Sequence, residues 1–267
     1  MPDARTLCRD LCLVRERAPL VHNITNYVVM NSTANALLAI GASPVMAHAL
    51  EEVAEMAAIA QALVINIGTL SPPWVASMQT AVRVAGIRGI PWVLDPVGAG
   101  ATTLRTETAR MLLADGRPTI VRGNGSEIMA LQGAAAATKG VDSVHSGDDA
   151  LDAARALASE YQCVVSVSGA VDAVTDGQVV VRVANGHALM PRVTGLGCTA
   201  SALTGAFAAV DASPIEAAAH AMAVMGIAGE LAAEKADGPG TLQLHFLDAL
   251  YGLSDDDVAS RLRMTVS

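Results

Sequence analysis

Lysine is almost missing from this 267-residue sequence: Lys139 and Lys235 are the only two, and Lys plus Arg total 17 against 26 Asp plus Glu, a formal charge of −9. A chain so short of cations offers no broad basic face, so nucleic acid and acidic membrane surfaces are not expected partners, although a local arginine pocket for phosphate is compatible. Cysteine is scarce as well. Cys8, Cys12, Cys163 and Cys198 form no C-x-x-C pair, which argues against a small secreted disulfide scaffold and for a reducing, cytoplasmic setting. The opening MPDARTLCRDLCLVRE breaks its apolar residues with Arg and Asp, and the high alanine content raises hydropathy without an uninterrupted spanning segment. Neither a signal peptide nor a membrane anchor is expected. No G-x-x-x-x-G-K-[ST] occurs either, which removes a Walker-type phosphate loop.

What the chain does have is apolar residues, 52% of the total, enough for a substantial core. They fall in alternating patterns. Strand-like runs stand at LVHNIT (20–25), SPVM (43–46), LVINIG (63–68), PWVLDPVGAG (91–100), PTIVRGNGSEI (118–128) and CVVSVSG (163–169). Between them lie helical patterns at 31–42, 51–62, 73–85, 106–115 and 148–160. Buried strands joined by helices predict an α/β sandwich, and the DAVTD and QVVVRV runs about Asp176-Gly177 predict a hairpin, hence some antiparallel pairing. From Thr199 to Lys235 two helical stretches follow one another, divided near Pro214, and their Ala, Leu and Met positions fit core packing or a subunit interface. The AAAAT run at 134–138 reads as a helix end or loop, so residues 1–267 are expected to form one domain.

The sharpest local signal is VTGLGCTASALTGAFA at 193–208. Gly195 and Gly197 permit close backbone approach ahead of a helix whose first amides, with Cys198 among them, can hold an anion; a glycine turn used only for packing has the same letters. The match to G-x-G-x-x-A lacks a returning strand and a later acidic strand end, which weakens a dinucleotide-binding reading. Asp95 closes WVLD, and Asn124 and Glu127 follow TIVRG. Both sites lie where open α/β sheets take ligands, and the two acids together can position Mg²⁺; separately, each acid also fits a loop or helix cap. Arg122 can fork onto a nucleotide phosphate or form a solvated salt bridge, and Ser168 can meet nucleotide or cap a turn. His22, Asn23, Thr25, Asn26 and Asn31 form a polar cluster suited to a small heterocycle or to a capped turn, with Met46 as an apolar substrate contact or a core residue. The remaining histidines, His48, His145, His187, His220 and His245, make no compact metal motif.

Taken in order, VHNITN, GASPVM, LVINIGTL, VLDPVGAG, RGNGSEI, VDAVTDG, VTGLGC and GPGTLQLHFLDAL closely resemble the hydroxyethylthiazole kinases of the ribokinase-like superfamily, across nearly the whole chain. The resemblance implies a three-layer α/β/α fold with a mostly parallel central sheet, ATP as phosphoryl donor, Mg²⁺, and phosphorylation of the hydroxyethyl group of 4-methyl-5-(2-hydroxyethyl)thiazole in thiamine salvage. It implies a homotrimer with sites near subunit boundaries. It also implies that Asn26, Met46 and Gly68 surround the thiazole, Met46 from a neighbouring subunit, that Asp95 and Glu127 are the magnesium-side acids, that Arg122 and Ser168 contact nucleotide, and that Gly195 through Cys198 hold the transferring phosphate. Broader ribokinase-like enzymes often carry Asp where this chain has Cys198, which leaves the general base open between that thiol and mere positioning. Leu196 stands where the family pattern has Thr, an exchange expected to tune the turn. A kinase for another small alcohol, such as a hydroxymethylpyrimidine, and a regulatory binding protein are the rival readings.

Overall fold

The computed structural model describes residues 1–133 and 147–267; the AAAAT run and His145 lie outside them. Among the described residues nine strands form one sheet: β1 (Leu20–Ile24), β2 (Ser43–Val45), β3 (Ala62–Asn66), β4 (Trp92–Asp95), β5 (Ile120–Asn124), β6 (Val164–Ser168), β7 (Asp172–Thr175), β8 (Val180–Val183) and β9 (Met264–Val266), in the spatial order β2-β1-β3-β4-β5-β6-β7-β8-β9. Pairing is parallel from β2 through β6 and antiparallel from β6 to β9. The expected hairpin is β7–β8, and the expected mostly parallel sheet is present.

Two helical layers cover the sheet. One contains α1 (Ala4–Arg17), α2 (Met30–Ile40), α8 (Leu196–Ala208), α9 (Pro214–Ala233), α10 (Pro239–Gly252) and α11 (Asp255–Arg261); the other contains α3 (Val53–Ile59), α4 (Pro72–Arg88), α5 (Thr103–Gly116), α6 (Gly125–Gln132) and α7 (Gly147–Tyr161). Strand alternation divides the core between them. Ala62, Val64, Val93 and Ile120 pack towards α8 and α9, whereas Leu63, Ile65, Leu94 and Val121 pack towards α4 and α5, as the two-residue period of a strand requires. This is the three-layer α/β/α arrangement.

The sequence reading needs adjustment in three places. PTIVRGNGSEI is two elements, because Asn124 ends β5 and caps α6 in one step, its side chain accepting from the Glu127 amide. The short α11 and β9 close the chain unanticipated; three residues, MTV, carry too little pattern to announce a strand. Finally, α9 is by length and composition apolar enough to cross a membrane, contrary to the expectation that no such segment exists. Its residues from Ala217 to Gly229 are buried within the chain itself, so the helix belongs to the core layer.

Candidate functional site

The parallel strands end together, and their last residues carry the polar side chains. On β3, β4, β5 and β6 the period of two that turns Val64, Val93, Ile120 and Val164 towards α8 also turns Asn66, Asp95, Arg122 and Ser168 to that side. The ladder register sets Asn66 directly beside Asp95, and Asn124 beside Ser168.

Across these ends runs a hydrogen-bonded series. Asn66 Nδ2 donates to Asp95 Oδ2 at 2.6 Å, and Ser201 Oγ, on α8, donates to the same oxygen at 2.7 Å. Asn66 Oδ1 accepts from Asn26 Nδ2 at 2.8 Å and from the Gly68 amide at 3.0 Å. The Asn26 amide also reaches Cys198 Sγ at 3.5 Å. A Cβ on Gly68 would stand 2.6 Å from Asn26 Nδ2, so the absence of a side chain there is what admits Asn26. Arg105, on α5, ties the strand-end loops together by donating to the carbonyls of Val97 (2.6 Å) and Gly68 (2.7 Å).

Burial dominates the electrostatics. It raises the Asp95 carboxyl to about 6, opposed by the Arg122 guanidinium and the Ser201 hydroxyl. It also pushes the Cys198 thiol up to about 11, with the Asp95 charge adding to the rise and the Asn66 and Asn26 amides opposing it. A thiol so raised is protonated at neutral pH. Helix α8 starts at Gly195, whose φ of +86° is in the left-handed region, and no side chain caps it. Its first amides are therefore available to an anion.

Arg122 is buried and donates from Nη1 to the Gly197 carbonyl at 2.9 Å, while its Nε has no partner among the described residues. The solvated salt bridge considered from sequence is not what this residue forms: it lies beneath the glycine turn. Glu127 completes the α6 cap, with Oε2 accepting from the Asn124 amide and Oε1 from the Gly98 amide, both at 2.8 Å. Each oxygen keeps a lone pair, so capping leaves room for a further contact. A cavity of about 810 Å³ opens beside this group, walled by Arg122, Ser168, Asp172, Gly195, Met190 and Met225, a volume within the range of small-molecule sites.

Of the expected residues, Asn26, Gly68, Asp95 and Cys198 meet in one network, and Arg122, Ser168, Gly195 and Gly197 meet at the cavity. The early polar cluster divides. His22, Asn23, Thr25 and Asn26 are buried, whereas Asn31 is exposed and pairs with Asn35. Met46 is half-buried just past β2 at the sheet edge, outside that network. Asn66, Ser201, Arg105 and Asp172 were not singled out. Asn66 had a signal, since it ends the apolar run LVIN as Asp95 ends WVLD; Ser201 sits in an alanine-rich helix with nothing to mark it.

A second titratable group stands at the far end of α8: Asp10, Asp211 and His220 have ligand atoms within 4.8 Å of one another. Their own bonds account for them. His220 Nδ1 meets Asp10 at 2.6 Å, its Nε2 meets Thr6 at 3.2 Å, and Arg9 pairs with both acids.

Comparison with known proteins gives concordant results. Residues 11–256 match the hydroxyethylthiazole kinase family. The chain is 60% identical over 264 residues to the hydroxyethylthiazole kinase of Nitratidesulfovibrio vulgaris strain Miyazaki F, covering 99% of each, and 62% identical over 252 residues to that of Syntrophus aciditrophicus, covering 94% of this chain and 93% of the relative. Among solved structures, the hydroxyethylthiazole kinase protein from Pyrococcus horikoshii superposes with a TM-score of 0.92 at 46% identity, covering 98% of this chain and 99% of that one. The pyridoxal kinase from Staphylococcus aureus, in complex with AMP-PCP and pyridoxal, superposes at 0.67 with 17% identity over 93% of this chain and 98% of that one, a likeness of fold alone.

Proposed function

Because the chain belongs to the hydroxyethylthiazole kinase family, and so phosphorylates the thiazole alcohol of thiamine salvage with ATP, we propose how its own residues carry that reaction. Asn26 and Gly68 bind the thiazole beside Cys198. The nucleotide occupies the adjoining cavity, with Arg122 on its phosphates and Ser168 at its wall. The transferring phosphoryl group then lies over the turn from Gly195 to Cys198, where the unpaired first amides of α8 meet charge that develops in transfer. Positioning and electrostatics carry most of the catalysis in such a reaction, and no covalent enzyme intermediate is needed.

Asp95 and Glu127 are proposed to hold Mg²⁺. The donor set fits, because Asp95 at the end of β4 and Glu127 in the first turn of α6 both offer carboxylate oxygens, the hard ligands that this ion prefers. Held by Asp95 and Glu127, the ion would supply positive charge that offsets the charge of the phosphates. Cys198 acts by positioning: with its thiol pushed up to about 11, the neutral group packs against the substrate alcohol and is a poor base at physiological pH. The unbroken sheet from β2 to β9 supports one kinase domain over residues 1–267. Half-buried Met46, just past the edge strand β2, supports a homotrimer in which a neighbour completes the thiazole pocket. Four free thiols support a cytoplasmic setting.

The observation that carries this reading is the meeting of Asn26, Asp95 and Cys198 within one hydrogen-bonded network at the start of α8. Purified protein with Mg-ATP is expected to convert the thiazole alcohol to its phosphate, read by mass against a control without thiazole. A hydroxymethylpyrimidine is expected to give little product. Preferential pyrimidine phosphorylation would contradict the substrate assignment.

A further inference from the structure

We propose that Asn66 is a positioning residue that couples the two halves of the site, one end of its amide fixing Asp95 and the other fixing Asn26. The inference rests on the reading of Asp95 as the metal-side acid and Asn26 as a thiazole contact. Its starting point is that neither amide can be turned over. Asn66 Oδ1 accepts from the Gly68 backbone amide at 3.0 Å, and Nδ2 meets the Asp95 carboxylate at 2.6 Å. Reversal would set a carbonyl oxygen against a carboxylate and an NH₂ against an N–H, leaving both sides unpaired in a buried place. Asn26 is locked in the same way, since its Oδ1 accepts from the Val28 amide at 3.1 Å and its Nδ2 must therefore face Asn66. One backbone N–H at each asparagine thus sets the direction of the whole series.

The consequence for Asp95 is specific. Asn66 and Ser201 both donate to Oδ2, and among the described residues none donates to Oδ1. Two donors on one oxygen fix the rotation of the carboxylate and leave Oδ1 as the oxygen offered to a ligand. Ser201 is itself held by α8, its hydroxyl lying 3.4 Å from the Gly197 carbonyl, so the helix that begins at the phosphate turn also orients the acid. Asn66 adds what Ser201 lacks, a rigid link from Asp95 to the thiazole side.

The two ends of the amide can be separated by mutation. Asn66→Asp keeps an acceptor for Asn26 and Gly68 and replaces the donor to Asp95 with a second carboxylate oxygen, which repels it; Asn66→Ala removes both contacts; Ser201→Ala removes the other Asp95 donor only. With soluble variants of unchanged nucleotide affinity without Mg²⁺, N66D and S201A are expected to lower kcat and weaken Mg²⁺ binding, read by calorimetry with a non-hydrolysable nucleotide, each by about 10- to 100-fold, while KM for the thiazole alcohol stays put. N66A is expected to raise that KM as well. The proposal is overturned if N66D and S201A keep wild-type kcat and Mg²⁺ affinity, or if N66D raises the thiazole KM as much as N66A does. Should the Asn66 variants fail to fold, S201A decides alone on its Mg²⁺ affinity, a loss supporting the clamp and wild-type affinity rejecting it. Asp95→Asn separates the two levels of argument: a wild-type D95N removes the assignment of Asp95, whereas an inactive D95N beside wild-type N66D and S201A removes the coupling alone.

Discussion

The buried guanidinium of Arg122 donates to the carbonyl of Gly197 at 2.9 Å, so this residue of β5 holds the first turn of α8 from beneath. One fork is used, Nε is unpaired among the described residues, and the side chain lines the cavity. In the proposed reading, Arg122 both supports the glycine turn and binds nucleotide through the same group. Replacement by Ala is expected to cost roughly 1.5–3 kcal/mol in nucleotide binding, the worth of a hydrogen bond to a charged group. Replacement by Lys is expected to recover little, because an ammonium cannot serve carbonyl and phosphate from one rigid plane. Nucleotide affinity by calorimetry checks both, and wild-type binding in R122A would remove the assignment.

Cys198 gives a test of protonation. With the thiol at about 11, the thiolate fraction at pH 8 is on the order of 0.1%, and alkylation is expected to run about 100-fold slower than in the unfolded chain. The rate is expected to keep rising about tenfold per pH unit up to pH 10. Peptide mass spectrometry after timed iodoacetamide exposure reads this directly. A rate already level by pH 8 would mean a stabilised thiolate and would restore Cys198 as the general base.

Asp95 supplies the pH dependence. Burial raises its carboxyl to about 6, above the unfolded value near 4, so the native state holds the proton more tightly. Its contribution to stability is full below about pH 4 and is lost as pH rises through 6. Metal binding runs the other way, because it needs the carboxylate. The apparent Mg²⁺ affinity is expected to weaken as pH falls from 7.5 to 5.5, and magnesium titrations at the two values check it; equal affinities would separate Asp95 from the metal. In the same titrations Glu127→Gln, which keeps a capping residue at that helix position, is expected to weaken Mg²⁺ response without unfolding α6.

At the other end of α8, the fully buried Asp10 accepts from His220 and Arg9. Removing it strands the buried His220 donor, whereas half-exposed Arg9 keeps Asp211, so Asp10→Ala is expected to cost about 1–3 kcal/mol of stability. The effect on kcat of the folded protein is expected to be small, because about 20 Å of helix separates this group from the phosphate turn. Thermal unfolding and initial rates together check the pair of statements, and an unchanged midpoint would contradict the first.

How far the sequence disclosed this site follows from local physics. Asp95, Arg122 and Ser168 were legible because each closes an apolar strand run, and open α/β sheets take ligands at that edge. Gly195 and Gly197 were legible as a turn before a helix. Asn66 ends LVIN in the same manner as Asp95 ends WVLD, but its importance depends on lateral register with Asp95, which a single strand does not encode. Ser201 depends on the facing of α8, and no periodicity distinguishes its hydroxyl from the alanines about it. Glu127 is the opposite case: its capping role was readable from N-x-x-E, and the structure shows that role with both oxygens engaged. Met46 stands apart from the network, just past the edge strand β2; the proposed homotrimer would supply what it faces.

The most direct measurement is phosphoryl transfer to the thiazole alcohol by wild type and Asp95→Asn, side by side, with and without Mg²⁺, the product identified by mass. The wild type with Mg²⁺ is expected to give thiazole phosphate, and D95N at least a roughly 100-fold loss. Equal, thiazole-dependent product from both proteins would contradict the site assigned here.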